Sequence, residues 1–283
     1  MKASGSIKMV AGKVGKCIMY LLTGFYALTC IYPVLWLFLA SLKTSTEFTY
    51  NILGLPRIWY FGNFEYVFTE LALPKYMFNT LRITVCVLIL TLLFSFINGY
   101  FIARFRFRLR NVIYATYTCN LFIPVHAILV PSYIMFVRIG LYNQWYSTIL
   151  PIVCMQLTTS TFLVQSYVSA MPVEMEEAAA IDGSSFTRTL FTIVFPIVRP
   201  IISTIAIMTF FASWNEFVFS QILFQTDDLF TLSMALLRYK GEYFTDYPRI
   251  MATIFVCIIP ALFIYILFSK YIIQGMTAGA IKG

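Results

Sequence analysis

A chain of 283 residues that is 60% hydrophobic, 18% aromatic and only 11% charged, with a mean hydropathy of +0.82, has too few charges to clothe a soluble globule of its length. The composition excludes an ordinary water-soluble enzyme or binding module and indicates an integral membrane protein. The formal net charge of +8 reports topology rather than nucleic-acid binding, because Lys and Arg gather in short connections between apolar runs.

A membrane-crossing helix needs about 20 apolar residues for a hydrocarbon core of roughly 30 Å. Six stretches qualify. Residues 1–16 carry Lys2, Lys8, Lys13 and Lys16 and precede the first, 17–39. That stretch exceeds the apolar core of a secretory signal and Leu39-Ala40-Ser41 is a poor cleavage site, so it is expected to stay as an anchor. An outer segment, 40–76, leads to a second span at 77–101. The basic link from Arg104 to Arg110 then precedes a third at 111–136. The fourth and fifth, 146–170 and 201–224, flank a loop at 171–200, and a second outer segment at 225–248 precedes the sixth, 249–272. The tail is 273–283. None of these runs alternates as a barrel strand would. The positive-inside rule puts the N-terminus and the Arg104 link in the cytoplasm, and six crossings then place the 171–200 loop and the C-terminus there as well.

The six cysteines are scattered singly, without a Cys-x-x-Cys pair, and read as small buried hydrophobes. One histidine, His126, cannot build a metal site, and no metal ligand set is expected. Pro124 and Pro131 on either side of it are expected to bend the third span, since each removes a backbone donor. Arg82 and Arg138 are read as marking outer helix ends, where long side chains snorkel to water. No phosphate-binding Gly-x-x-x-x-Gly-Lys-Ser/Thr occurs, and the nearest run, Gly12 to Cys17, has the wrong spacing. No cluster of nucleophile, base or metal ligands marks a catalytic centre, so no catalytic residue is assigned.

The loop at 171–200 is more elaborate than a turn requires. Pro172 suits the start of a helix, and Glu174, Glu176 and Glu177 put negative charge at its positive dipole end. Ala178, Ala179 and Ala180 favour the helix while letting a partner approach its backbone. Gly183 can take the left-handed conformation that stops it, and Ser184 or Ser185 can cap a second limb. Phe186, Leu190, Ile193 and Val194 would press that limb against the bundle, and Pro196 and Pro200 would turn the chain into the fifth span. The first limb is acidic, whereas an interfacial helix usually shows Lys and Arg, so a protein partner is favoured over the lipid surface.

In the fifth span, Ser213, Trp214, Asn215 and Glu216 combine an aromatic platform with polar groups. An acid within a span should face protein or a wet cavity. On a straight helix counted from Pro200, Glu216 lies about 24 Å along, in the outer half of the bilayer. Two readings stand: contact with substrate along the path, or an interhelical clamp.

Glu177-Ala178-Ala179, Gly183, Ile193 and Pro196 together resemble the signature of ABC importer permease subunits, with Phe195 standing where Leu is usual. Ser41-Leu42-Lys43, Ser213-Trp214-Asn215-Glu216-Phe217 and the tail from Gly275 to Gly283 narrow the likeness to the carbohydrate-uptake branch. There the chain resembles the maltose-type second membrane subunit, in the binding-protein-dependent transport inner membrane component family. The resemblance covers nearly the whole chain. It implies an all-α integral membrane fold of six transmembrane helices with a cytoplasmic coupling helix, and a core permease domain over 77–272. It implies a non-catalytic subunit of an ATP-driven sugar or oligosaccharide importer in the bacterial plasma membrane, with Glu176, Glu177, Ala178, Ala179, Asp182, Gly183 and Pro196 engaging the ATPase. The implied partners are a second homologous permease subunit, a dimer of cytoplasmic ABC ATPase subunits, an extracytoplasmic sugar-binding protein facing the 225–248 segment, and the lipid bilayer. No cofactor is expected on this chain itself, ATP and Mg being used by the ATPase. The alternatives are a permease for a non-sugar solute, against which the tail argues, and a secondary transporter, for which the acidic knob would have no purpose.

Overall fold

The computed structural model describes residues 2–239 and 246–280, and the described residues form helices and turns without a strand. In chain order the helices are α1 (Lys2–Ser41), α2 (Ser45–Tyr50), α3 (Gly62–Thr69), α4 (Leu73–Arg104), α5 (Arg110–Phe122), α6 (Val125–Arg138), α7 (Ile149–Ser169), α8 (Glu174–Ile181), α9 (Phe186–Thr189), α10 (Phe195–Trp214), α11 (Val218–Leu223) and α12 (Tyr247–Ala280). Two compact units result, one from Met1–Leu71 with Tyr239–Ile258, the other from Ala72–Arg238 with Ile259–Gly283.

In the first unit, α1 is continuous from Lys2, so residues 2–16, expected as an N-terminal segment ahead of the first span, are part of the same helix. Phe255 of α12 packs on Phe38 and Phe64, with ring centroids 4.9 and 6.3 Å away. Arg249 lies 3.9 Å over the Tyr66 ring and pairs with Asp246 at 3.2 Å.

The second unit is organised on α4, α7 and α10. Ile83 and Val87 of α4 pack with Ile149, Ile152 and Val153 at the start of α7, and Phe96 and Tyr100 pack with Val164 and Val168 towards its end. The two helices are therefore parallel. Gly99 makes their approach possible: a Cβ there would stand 2.6 Å from that of Val164 and 2.9 Å from the Thr161 carbonyl. Helix α10 runs the other way, with Ile201 and Ile205 beside Phe96 and with Ser213 Oγ hydrogen-bonded to Thr84 Oγ1 at 3.2 Å.

Parallel α4 and α7 require the intervening chain to cross from the Arg104 face back to the Leu73 face. That crossing is α5 with α6, bent by 110° at Ile123–Pro124, so the third span is a broken helix rather than the proline-bent one expected over 111–136. Pro124 causes the break. It has no N–H for the preceding turn, and it pushes Ile123 into an extended conformation at ψ 112°. Pro131 is accommodated inside α6. Among the described residues, and with the broken pair counted once, α1, α4, α5/α6, α7, the Phe186–Trp214 helix and α12 give six stretches long and apolar enough to span a membrane.

Two further expectations are corrected. The fifth span is not one helix over 201–224, because α10 ends at Trp214 and α11 begins only at Val218. Nor do Pro196 and Pro200 turn the chain. Helix runs without a corner from Phe186 to Trp214, through a π turn at Leu190–Val194 in which Phe195 N–H donates to Leu190 C=O. The longer ring of that turn shifts the hydrogen-bond register just before Pro196, so the imino nitrogen falls in the first turn of α10, where no donor is needed.

Candidate functional site

The knob at 171–200 is built from α8, a reversal at Asp182–Ser185 and α9. At the end of α8, Ser184 N–H donates to Ala179 C=O at 2.9 Å and Gly183 N–H to Ala180 C=O at 3.0 Å, a six-to-one closure that requires a left-handed residue. Gly183 supplies it at φ 78°. Ser185 then caps α9 by accepting from Arg188 N–H. Of the limb residues, Leu190 and Val194 are buried, while Phe186 stays half-exposed with its ring about 6 Å from those of Tyr100, Phe101 and Phe105.

The acids of α8 divide into two sets. Glu176 turns towards α4, where one carboxylate oxygen accepts from Tyr100 Oη at 2.6 Å and the other from Arg104 Nε at 2.7 Å. Arg104 also donates to the Met171 carbonyl at 3.0 Å, and the pair is only 12% and 13% exposed. Ala179, three residues on, is buried on the same side. Glu174, Glu177, Ala178 and Asp182 point outward, and Pro196 is half-buried within the bundle. Ile181, which the sequence reading passed over, is 86% exposed at the tip, with Val173 and Met175 also uncovered beside the acids. Its signal was available: an isoleucine two residues before a helix-stopping glycine in an otherwise acidic and alanine-rich turn.

On the opposite face of the same unit, Ser213, Trp214, Asn215 and Glu216 sit where α10 ends. Ser213 and Trp214 are buried, and the indole stacks on Phe210 at 5.4 Å. Asn215 is exposed, with its amide returned to Phe211 C=O at 3.0 Å. The half-buried Glu216 closes the start of α11, accepting from Phe219 N–H at 2.6 Å and from Ser220 N–H and Oγ at 3.1 and 2.7 Å. The four residues do not turn one way: Glu216 faces the α11 N-terminus while Asn215 is exposed. Ser220 is a functional neighbour that no motif in the sequence marks: its hydroxyl donates to Glu216 from four residues on.

His126 is exposed in the first turn of α6, and the six cysteines are free. Arg82 lies well inside α4, its guanidinium 4.8 Å above the Trp145 ring. Among the described residues no group of three or more His, Cys, Asp or Glu could hold a metal. Tyr243 and Phe244 of the second outer segment, and Ile281 to Gly283 of the tail, lie outside the described residues.

Residues 95–278 match the family described as binding-protein-dependent transport system inner membrane component, which takes in the knob, both interruptions and most of α12. The chain belongs to that family. It is thus a multi-pass inner membrane transport subunit. It is 31% identical to the arabinooligosaccharides transport system permease protein AraQ of Halalkalibacterium halodurans, over 96% of this chain and 99% of that one. It is also 31% identical to the trehalose/maltose transport system permease protein MalG of Thermococcus litoralis, over 91% and 93%. Among solved structures, a bacterial ABC transporter involved in import of the acidic polysaccharide alginate superposes with a TM-score of 0.81 at 20% identity, covering 92% of this chain and 96% of that one. At that identity the likeness speaks for the fold.

Proposed function

We propose that this chain is a permease subunit of an ATP-driven importer for a sugar or oligosaccharide, forming half of the translocation path with a second homologous subunit. In this reading the α8 knob docks in a cleft of a separate cytoplasmic ATPase, which uses ATP and Mg, and an extracytoplasmic binding protein delivers the sugar. The reading is carried by the knob: a helix closed at its C-terminal end by Gly183, tied to the bundle through Glu176, with Glu177, Ala178, Ile181 and Asp182 left outward. The sugar class is supported by relatives named for arabinooligosaccharide and trehalose/maltose transport. Arg104 contacts the knob, Arg106, Arg108 and Arg110 follow it in the same connection, and Arg188 lies in the knob itself, which favours a cytoplasmic position for the knob and for both termini.

A ligand shifts a two-state bundle only by its different affinity for the two states, so the ATPase must grip the knob differently as the path opens to either side. The test is co-purification with the ATPase and ATP-coupled sugar uptake for Glu177→Lys and Gly183→Pro. Both variants should lose assembly or coupling. Normal assembly and uptake in both would sink the docking role, and uptake of sugar without any ATPase would favour a secondary transporter.

A further inference from the structure

Residues 50–61, Tyr-Asn-Ile-Leu-Gly-Leu-Pro-Arg-Ile-Trp-Tyr-Phe, run from the last residue of α2 through a non-helical, strongly apolar stretch, and most of their large side chains are exposed. Tyr50 is 88% exposed, Leu53 74%, Leu55 70% and Ile58 69%, and Trp59 and Phe61 are exposed beside them. A loop in water with that surface would be an aggregation liability.

The backbone of the segment is the second observation. Lys43, only 1% exposed, spends its ammonium on three main-chain carbonyls: Asn51 at 2.5 Å, Ile52 at 3.2 Å and Gly54 at 2.6 Å. Asn51 takes Gly54 N–H and donates to Leu55 C=O, both at 3.0 Å, while Glu47 accepts from Arg57 N–H at 2.6 Å. Asn63 donates to the carbonyls of Ser41 and Lys43 at 2.8 and 2.7 Å, securing the corner after α1. Water would satisfy these carbonyls without a buried lysine. Hydrocarbon would not, and non-helical backbone at membrane depth persists only where its polar groups are paired.

Depth is the third. Trp36 Nε1 donates to Ile52 C=O at 3.1 Å, and Tyr60 N–H to Leu42 C=O at 2.9 Å. The segment therefore doubles back along α1, and Ile52 lies level with Trp36, five residues or about 7 Å before the helix end at Ser41. Amphipathic elements held at a bilayer surface bury their apolar side about 5–10 Å into the headgroup and acyl boundary. Helix α1 is itself exposed within this chain over residues 15–33, and becomes buried only at Leu37, Ala40 and Ser41.

We propose that residues 50–61 are a wedge seated in the lipid interface at the C-terminal end of α1, with Trp59, Tyr60 and Tyr50 at headgroup level, Leu53, Leu55 and Ile58 in the acyl region, and Lys43 holding the backbone dry. Arg57 reaches back to lipid phosphate along its methylene stem. The partner of this surface is the bilayer.

The full chain in nanodiscs tests this by tryptophan fluorescence, comparing wild type with Trp59→Phe so that the difference reports Trp59 alone. The Trp59 contribution should be blue-shifted and should lose most of its intensity in lipids brominated near the glycerol end of the acyl chains. It should lose less in lipids brominated near the chain terminus, and little to aqueous iodide. A second probe, Leu53→Trp in the Trp59→Phe background, should reverse the preference between the two bromolipids. Iodide quenching without bromolipid quenching would mean a solvated loop, and quenching by neither would mean a covering protein. Either result overturns the proposal.

Discussion

The acids of the second unit are used in opposite ways at its two ends. At the knob, Glu176 is consumed by Tyr100 and Arg104 while Glu177 and Asp182 remain outward, so α8 is at once anchored and free to be touched. At the other end, Glu216 gives both oxygens to the first turn of α11, so neither is left without a donor. Carboxylates one residue apart in α8 thus do different work, and Glu216 resembles Glu176 more than Glu177. What separates an anchor from a contact surface is whether the protein's own donors already saturate the carboxylate.

The sharpest break in that comparison is Glu176→Ala. It leaves Arg104 charged, largely buried and unpaired, and truncating one partner of such a pair costs about 3–5 kcal/mol. The melting temperature of the purified chain should fall steeply, and exchanging the charges with Arg104→Glu and Glu176→Arg should recover part of the loss. A melting temperature unchanged in Glu176→Ala would mean that the anchor is ornamental.

Glu216→Ala comes next. It strips the N-terminus of α11 of its acceptor and should cost about 1–2 kcal/mol, the scale of a lost helix cap. Ser220→Ala, which removes one of three donors, should cost less. If Glu216→Gln keeps the melting temperature yet changes the sugar concentration dependence of uptake, Glu216 touches substrate and the clamp reading fails. A fall in stability and assembly with unchanged sugar dependence would settle the reverse.

Of similar size is Gly183→Ala. Nothing lies within 4 Å of the added Cβ, so only the left-handed backbone at φ 78° opposes it, at a cost of about 1–2 kcal/mol. Asn, which tolerates that conformation, should restore most of the loss in a thermal melt.

Much of this architecture was legible because it rests on local chemistry. The six apolar runs follow from composition. The stop at Gly183 and the cap at Ser185 follow from residues that can do little else there. What escaped the sequence depends on partners distant in the chain or on hydrogen-bond register. Pro124 was read as a bend, yet the 110° break depends on Ile123 going extended, while Pro196, chemically identical, sits in a straight helix because a π turn shifts the register before it. Glu216 lies two residues beyond the end of α10, so its setting comes from the donors of α11, which a count along α10 does not reveal. The division between Glu176 and Glu177 was missed because the two are the same residue type. Only the three-residue spacing from Glu176 to Ala179, both turned inward, hinted at which one faces the bundle.

The smallest effect on stability belongs to the most informative residue. Ile181 is 86% exposed at the tip of the knob, so Ile181→Ser removes no packing within this chain and should leave the melting temperature within about 0.5 kcal/mol of wild type. An isoleucine side chain taken fully out of water is worth about 1.5–3 kcal/mol, so if a partner covers it, the same substitution should weaken binding by about tenfold or more. The measurement is ATPase affinity by titration alongside the thermal melt of the isolated chain. Loss of both would make Ile181 part of the fold. Loss of neither would move the contact to Glu177 and Asp182 and make docking electrostatic, which a steep dependence on salt would then reveal. Loss of affinity alone would assign the docking contact to an apolar tip ringed by acids, with Glu176 as the hinge pin behind it.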